Sequence, residues 1–323
     1  MRKFLTKIFI YTLALSLITI AVNALCIYRI YSSNFGSMSD KKNDSAFIVN
    51  VPEGIQICNF GSSHGYYGFN YDDAGEKYTC FNFALPSQSL RYDYKILEQF
   101  RDKIRKDAAV FIVISHFSFF GKPEVQGADF ASKNRRYYRF LDSSRIDEYD
   151  IKTNFYVNYM PALIADNAVS FLRLLFKPSG DMWNFTTDPE AAKVHALVRY
   201  KGFIADKKDN EGRRLFNREA VEALMKIIAL CHELGAAPIL ITTPYLKEYN
   251  DAVKKNDPEF YGDFRAVIDD VVRHTGVKYY DYSEDERYTN DYSLFFNTDH
   301  MNRKGARIFT NTLLREVLCI ETN

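Results

Sequence analysis

The segment Ala108–Ser115, AAVFIVIS, is apolar almost throughout and rich in β-branched residues. Such a run predicts a buried strand of a parallel sheet that is covered on both faces. Upstream, Ile55–Phe60 (IQICNF) is a second apolar run, and it ends at Gly61, which favours a tight turn after the strand. Tyr92–Arg105, between the two runs, carries apolar residues at helical spacing. Strand, crossover helix and strand therefore alternate.

The alternation continues to the C-terminus. A helix is predicted over Arg218–Leu234, because Asn217 is a good N-cap and Gly235 a good terminator. Further predicted elements are the strands Tyr78–Leu85, Ala237–Thr243 and Val277–Tyr282, a helix from Pro258 to before Gly276, and a helix over Arg303–Leu318. The pattern predicts an α/β domain with a doubly wound, mostly parallel sheet, in which sites form at the carboxyl ends of strands.

A mid-chain segment interrupts this pattern. From Gly121 to about Asn217 the sequence is mostly polar, aromatic and charged, with one predicted helix at Pro161–Phe176. We predict an insertion over about residues 121–217 that could roof a site.

The N-terminus has the pattern of a membrane segment. Arg2, Lys3 and Lys7 precede an uncharged apolar run, Ile8–Tyr28, which is long enough to cross a bilayer as a helix. We predict a signal anchor in residues 1–31, with the N-terminus in the cytoplasm and the rest outside. A cleaved signal peptide is the alternative, since Val22-Asn23-Ala24 would pass as a cleavage site.

The remainder divides into a linker and a globular part. Residues 32–46 are rich in Ser, Asn, Asp and Lys and predict a polar stalk, and residues 47–323 predict one extracytoplasmic domain containing the insertion. The net charge of +1 gives no indication of nucleic-acid binding. The five cysteines show no metal-ligand spacing, and a Cys58–Cys80 disulfide is permitted but not deduced. No His, Glu or Asp spacing suggests a metal site and no glycine-rich phosphate loop occurs, so we predict no metal and no cofactor.

Two short segments carry candidate chemistry. Phe60–Gly65 (FGSSHG) directly follows the first predicted strand, and a serine on such a turn is held out of the sheet as a nucleophile requires. Asn297–Gly305 (NTDHMNRKG) lies between the last predicted strand and the last predicted helix. Both segments belong to the carboxyl edge of the sheet, so Ser63 and His300 could meet there.

In these two blocks the chain resembles the SGNH/GDSL hydrolase superfamily. In that family the nucleophile follows the first strand in a G-D-S or G-S-S block, and the catalytic histidine precedes the last helix in a D-x-x-H block. The resemblance implies a flavodoxin-like three-layer fold, Ser63 as nucleophile and His300 as its general base. It is strongest to the membrane-anchored branch of DltD-like proteins and of the partners of alginate and peptidoglycan O-acetylation.

The remaining family positions differ in this chain. The D-x-x-H position holds Asn297, while Asp299 immediately precedes the histidine, and the sequence leaves open which of them orients His300. A helix N-cap is the alternative role for Asp299 and the preferred one for Asn302. The glycine expected in Asn82–Ser89 and the asparagine expected after Ala108–Ser115 are both missing. The backbone N–H of Ser87 could replace the glycine. His116 or Ser118 could donate in place of the asparagine, with a pocket-lining or buried role as the alternative. His64, beside Ser63, is a candidate substrate contact, for which a structural role is preferred.

The resemblance implies a serine O-acyltransferase outside the cytoplasm. Its acyl group, acetyl in the simplest case, would pass to a cell-surface glycan or polymer and would come from a multi-spanning membrane O-acyltransferase partner. Two alternatives stay open: a glycan or lipid esterase, and an envelope assembly or binding protein whose site has decayed.

Overall fold

The structure, a computed structural model, describes residues 1–37, 51–75, 77–121, 134–160 and 185–320, without the side chains of residues 26–37. The chain forms two compact units. One comprises Met1–Ser39 and Gln126–Gly180, and the other comprises Asp40–Val125 and Asp181–Asn323. All the predicted site residues lie in the second unit.

The second unit is built on a five-stranded, all-parallel sheet. The strands are β1 (Ile55–Phe60), β2 (Cys80–Asn82), β3 (Ile104–Val113), β4 (Ala237–Thr242) and β5 (Lys278–Asp281), and their order across the sheet is β2-β1-β3-β4-β5. The central strand β3 is buried from Ala108 to its end, because both of its faces are covered. The predicted α/β class with a parallel sheet is confirmed.

The described helices follow one another in chain order. They are α1 (Arg2–Ser37), α2 (Ser63–Gly68), α3 (Leu90–Gln99), α4 (Ile151–Tyr159), α5 (Pro189–Phe203), α6 (Arg218–Leu234), α7 (Lys247–Asn256), α8 (Phe260–Thr275), α9 (Glu286–Thr289) and α10 (Arg303–Leu318). Within the second unit α6 contacts α3 and α8, α2 contacts α10, and α5 contacts α7.

Most predicted elements occur near their predicted limits. β1, α6 and α10 have the predicted ends, and the side chain of Asn217 caps α6 by accepting a hydrogen bond from the Ala220 N–H at 3.2 Å. Gly235 ends α6 at φ 70°, a conformation that suits glycine.

Three predictions of element limits differ from the structure. The predicted strand Tyr78–Leu85 is reduced to Cys80–Asn82, because only these residues pair with β1. The predicted helix Tyr92–Arg105 spans Leu90–Gln99 instead. The predicted strand Ala108–Ser115 spans Ile104–Val113, because Ile104 already pairs with Ile55 in the sheet. Apolar spacing alone could not separate the helix from the start of the next strand.

Five of the described helices were not predicted: α2, α4, α5, α7 and α9. All five are short or carry mixed polar and apolar residues on several faces. The predicted helix Pro161–Phe176 lies outside the described residues, and so does most of the predicted stalk, of which residues 32–37 belong to α1. Cys58, Cys80 and Cys231 are buried free thiols.

The N-terminal helix of the first unit is long and apolar enough to cross a membrane over Arg2–Leu25. Its apolar side chains from Phe4 to Ile20 are largely exposed rather than packed against protein. A signal sequence has the same length and composition.

Candidate active site

Ser63 lies at the carboxyl end of β1, as the first residue of α2. The turn before it requires glycine, because Gly61 has φ 137° and a Cβ there would lie 2.9 Å from the Cβ of Val113. The N–H of Gly61 donates to the carboxylate of Asp93, which is buried beneath the turn, at 2.9 Å. Ser63 is thereby held at the edge of the sheet and is partly exposed.

His300 reaches Ser63 from the loop before α10. Its Nε2 lies 2.7 Å from Oγ of Ser63, and its Nδ1 lies 3.1 Å from Oδ1 of Asn297. Oδ1 of Asn297 also accepts the backbone N–H groups of Asp299 and His300, so this atom is an acceptor toward the ring as well. Nδ1 of His300 therefore carries the proton, and Nε2 is free to accept the proton of Ser63. This is the tautomer that a general base needs.

Asp299 lies on the other side of the His300 ring. Its Oδ1 is 3.2 Å from Nδ1 of His300, and Oδ1 of Asn297, which also accepts two backbone N–H groups of the loop, is 3.1 Å from the same nitrogen. Both oxygens of Asp299 accept a hydrogen bond from the Nε–H of Arg199, at 2.9 and 2.8 Å. Asn297 thus orients His300, and the carboxylate of Asp299 supplies negative charge beside it. The N-cap of α10 is Asn302, as preferred from the sequence, since its side chain accepts the N–H of Gly305.

A second histidine shares the same carboxylate. Nε2 of His64 lies 3.2 Å from Oδ2 of Asp299, and its Nδ1 lies 2.7 Å from Oγ of Ser115. The hydroxyl of Ser115 in turn lies 3.0 Å from that of Ser62. Because an ionised carboxylate can only accept, His64 donates Nε2–H to Asp299, accepts Ser115 O–H at Nδ1, and Ser115 accepts Ser62 O–H.

Burial and charge fix the protonation of this network. Burial alone would raise the pKa of Asp299, but His300, His64 and Arg199 outweigh it and hold that pKa well below the ordinary value. Burial lowers the pKa of His64 to about 4, partly opposed by its hydrogen bond to Asp299. At neutral pH the site therefore holds an ionised Asp299 and a neutral His64.

Aromatic rings enclose His300. Phe296 stacks on it with a centroid distance of 5.4 Å, and the ring of Tyr67 meets it edge-on at 5.3 Å. Tyr245 packs edge-on against His64 at 5.0 Å, with its hydroxyl 3.3 Å from Nδ1 of that ring. These contacts restrict both imidazoles to one orientation.

The other predicted substrate contacts lie in different settings. Ser87 is exposed in a turn at φ 58°, and Oγ of Ser118 accepts the backbone N–H of Ser115 at 3.0 Å. His116 is buried among Tyr245, Tyr249 and other rings, and neither of its ring nitrogens has a hydrogen-bond partner among the described residues. Burial lowers its pKa to about 3. Of the four additional residues, His64 joins the cluster directly through Asp299, and Ser118 contacts it through the backbone of Ser115.

Three groups of the metal-ligand type converge in the cluster. Ligand atoms of His64, Asp299 and His300 lie within 4.8 Å of one another. The guanidinium of Arg199 already pairs with Asp299 there, so the positive charge that a metal ion would supply comes from a side chain.

Sequence reasoning missed two residues of the site. Ser115 ends the predicted strand Ala108–Ser115 and was assigned only to the strand, although the residue after a parallel strand is often functional. Arg199 lies on α5, in the predicted insertion, where no motif marks it. His195 and Arg199 stand one turn apart on that helix, which is the only signal that could have indicated a shared polar face.

No protein-family model matches the chain, and no curated protein matches it in sequence. The fold and the cluster themselves define an α/β protein with a Ser–His–Asn arrangement at the carboxyl edge of a parallel sheet. Ser63 follows β1 and Ser115 follows the neighbouring strand β3. In the sheet, β1 leads to β2 on one side of this strand pair, and β3 leads to β4 on the other side. Open α/β sheets bind ligands where the connections diverge in this way.

Proposed function

We propose that the chain is a serine O-acyltransferase of the SGNH type that acts outside the cytoplasm on a cell-surface glycan or polymer. The observation that carries the proposal is the 2.7 Å contact between Oγ of Ser63 and Nε2 of His300, in the tautomer set by Asn297. Three features support a doubly wound, SGNH-like domain. The strand order is β2-β1-β3-β4-β5, and Ser63 follows β1 while His300 precedes α10. The helices pack in separate groups, α6 with α3 and α8, and α2 with α10.

The chemistry follows from the geometry. Oγ of Ser63 attacks the acyl carbon while its proton passes to Nε2 of His300, and the leaving oxygen takes that proton as the acyl–oxygen bond breaks. A hydroxyl of the acceptor then gives its proton to Nε2 and attacks the acyl carbon. The ester bond to Oγ breaks and Oγ takes the proton from Nε2, which regenerates Ser63 and the neutral His300. Asn297 keeps Nδ1 in place through both steps, and Asp299 stabilises the imidazolium.

The N-terminal helix supports acyl transfer rather than simple hydrolysis. An N-terminal helix able to cross the membrane would hold the domain at the surface, with the N-terminus in the cytoplasm. The one such helix among the described residues cannot by itself carry acyl groups across the bilayer, so a multi-spanning O-acyltransferase would deliver them. With water as acceptor, the same residues would make an esterase.

One observation favours a second candidate, an envelope assembly or binding protein with a decayed site. His300 is oriented by a neutral amide, and a guanidinium lies against its ring, so the imidazolium is less stabilised than beside a carboxylate alone.

The test treats the full chain in detergent with p-nitrophenyl acetate and compares wild type with Ser63→Ala and His300→Ala. The matched controls are Ser144→Ala and His274→Ala, whose side chains are exposed and distant in sequence from the site. We expect a burst of p-nitrophenol and an acetyl adduct on Ser63 that both site variants abolish and both controls retain. Equal behaviour of all five proteins would favour the binding protein. Adding candidate glycans then separates a transferase from an esterase.

A further inference from the structure

Arg199 occupies an unusual position for a cation beside a general base. Its Nη2 lies 3.2 Å from Nδ1 and 3.3 Å from Nε2 of His300. Neither contact is a productive hydrogen bond, because Nδ1 carries a proton directed at Asn297 and the lone pair of Nε2 accepts Ser63 O–H. When Ser63 gives its proton to His300, two positive charges face one another.

The same guanidinium neutralises the carboxylate that His300 needs. Nε of Arg199 contacts both oxygens of Asp299, so the negative charge of Asp299 is shared before any proton moves. In this arrangement the site is poorly prepared for general-base catalysis. If the guanidinium were displaced, the full negative charge of Asp299 would act on His300.

Arg199 is also the charged group of the cluster that solvent can reach. Its side chain is 17% exposed, whereas that of Asp299 is 2% exposed. It extends from α5, where its guanidinium lies 4.5 Å from the ring centroid of Phe203. His195 stands one turn earlier on α5, is half-buried, and interacts electrostatically with Asp299, Arg199 and His300. Nδ1 of His195 is buried with no hydrogen-bond partner in the described part of the chain.

We propose that Arg199, with His195 beside it, binds an anionic group of the substrate, a carboxylate or a phosphate, and thereby leaves His300 and Asp299 free for catalysis. A guanidinium suits such a group because its donors match two oxygens at once. The anion takes over part of the pairing with Arg199, and Asp299 then stabilises the imidazolium. The inference deepens the proposed acyl transfer and rests on it for its catalytic part: the acceptor or donor would be an acidic polymer rather than a neutral one.

The catalytic test uses two esters of similar size, p-nitrophenyl hydrogen succinate, which is anionic, and p-nitrophenyl methyl succinate, which is neutral. It compares kcat/KM for the full-length wild type, Arg199→Gln and Arg199→Lys. Lys201→Gln is the matched control, because it removes one positive charge from an exposed position of the same helix. We expect the wild type to prefer the anionic ester about tenfold, the scale of one charge-assisted hydrogen bond. Arg199→Gln should lose that preference by turning over the neutral ester faster, Arg199→Lys should keep part of it, and Lys201→Gln should keep all of it.

Loss of rate on both esters by the same factor in Arg199→Gln would overturn the inference, because Arg199 would then only support Asp299. An unchanged preference would overturn it as well.

A binding test keeps the inference separate from the proposed function. Methyl phosphate and acetate are titrated against the wild type, Ser63→Ala and Arg199→Gln at constant ionic strength, with thermal unfolding as the readout. We expect at least one anion to raise the melting temperature of wild type and Ser63→Ala, with an apparent affinity about tenfold weaker in Arg199→Gln. The more effective anion distinguishes phosphate from carboxylate. If neither anion binds in an Arg199-dependent manner, the inference fails even if Ser63 is acylated; if one binds but no protein is acylated, the proposed function fails alone.

Discussion

Asn297 determines how His300 presents its ring to Ser63. Its Oδ1 accepts two backbone N–H groups and Nδ1 of His300, so a single atom closes the turn and sets the tautomer. Asp299, 3.2 Å from the same ring nitrogen, contributes negative charge. The two roles that one aspartate combines in a Ser–His–Asp triad are therefore divided between two residues.

The first prediction concerns this division. Asn297→Ala removes the acceptor for Nδ1 and should lower the rate of Ser63 acylation by about 100-fold, the scale of a lost general-base contribution. Asn297→Asp keeps an acceptor oxygen and adds charge, so its rate should equal or exceed that of the wild type. Stopped-flow measurement of the p-nitrophenol burst gives both rates. A wild-type burst in Asn297→Ala would instead assign the orienting role to Asp299.

The second prediction concerns Asp93, which lies beneath the turn that leads to Ser63. Burial raises the pKa of Asp93 to about 7, although the hydrogen bonds from Gln88 and Gly61 oppose the shift. A carboxyl with a raised pKa in the folded protein stabilises the fold when protonated, and this stability is lost as the pH rises from about 4 to about 7. The difference amounts to on the order of 4 kcal/mol for about three pKa units.

The measurement compares urea unfolding of wild type and Asp93→Asn at about pH 4.5 and about pH 7.5. We expect the free energy of unfolding of the wild type, relative to the variant, to decrease between the two pH values. An equal difference at both would show that Asp93 does not titrate in this range.

At the scale of elements, the segment from β5 to α10 positions the histidine side of the site. Asn302 caps α10, and its side-chain amide also donates to the carbonyl of Ser293 at 2.8 Å. Gly305 in the first turn of α10 lies against Leu294, where a Cβ would meet the carbonyl oxygen at 2.1 Å. This close approach ties the helix to the loop that carries Asn297, Asp299 and His300.

The third prediction follows from that contact. Gly305→Ala should destabilise the protein by at least about 1–3 kcal/mol, because backbone atoms must move to admit the methyl group. Gly305→Ala should also reduce the acylation of Ser63, since the loop that carries His300 would move with the displaced backbone atoms. Gly262→Ala is the control: a Cβ at that helical position meets no atom within 4 Å, so stability should stay equal or rise by about 0.5–1 kcal/mol. Thermal unfolding and the burst assay measure both effects, and equal stability of the two variants would contradict the packing argument.

At the scale of the whole molecule, the apolar helix α1 is the feature that bears on membrane association. The described part of α1 exposes apolar side chains along most of its length, which is costly in water and favourable in a bilayer. The basic residues before the apolar run favour a cytoplasmic N-terminus.

The fourth prediction is that the full chain stays in the membrane fraction after an alkaline carbonate wash and is released by detergent. Its C-terminal unit should be cleaved by protease added to the outer side of intact cells or right-side-out vesicles. Intact mass determines whether Met1 is still present. A protein that begins shortly after Ala24 and is recovered in the soluble fraction would identify a cleaved signal peptide instead.

The sequence by itself determined the parallel α/β scaffold and the two ends of the site. Apolar runs such as Ile55–Phe60 and the end signals around Arg218–Leu234 act locally, so periodicity and capping suffice to predict them. The proximity of Ser63 and His300 could be predicted because the carboxyl ends of parallel strands lie at one edge of the sheet. Only the tertiary structure decided that Asn297 orients the ring, that Ser115 and His64 join the network through Asp299, and that Arg199 lies against His300. These contacts join segments as much as 235 positions apart, and their distances are set by packing, which local sequence does not encode.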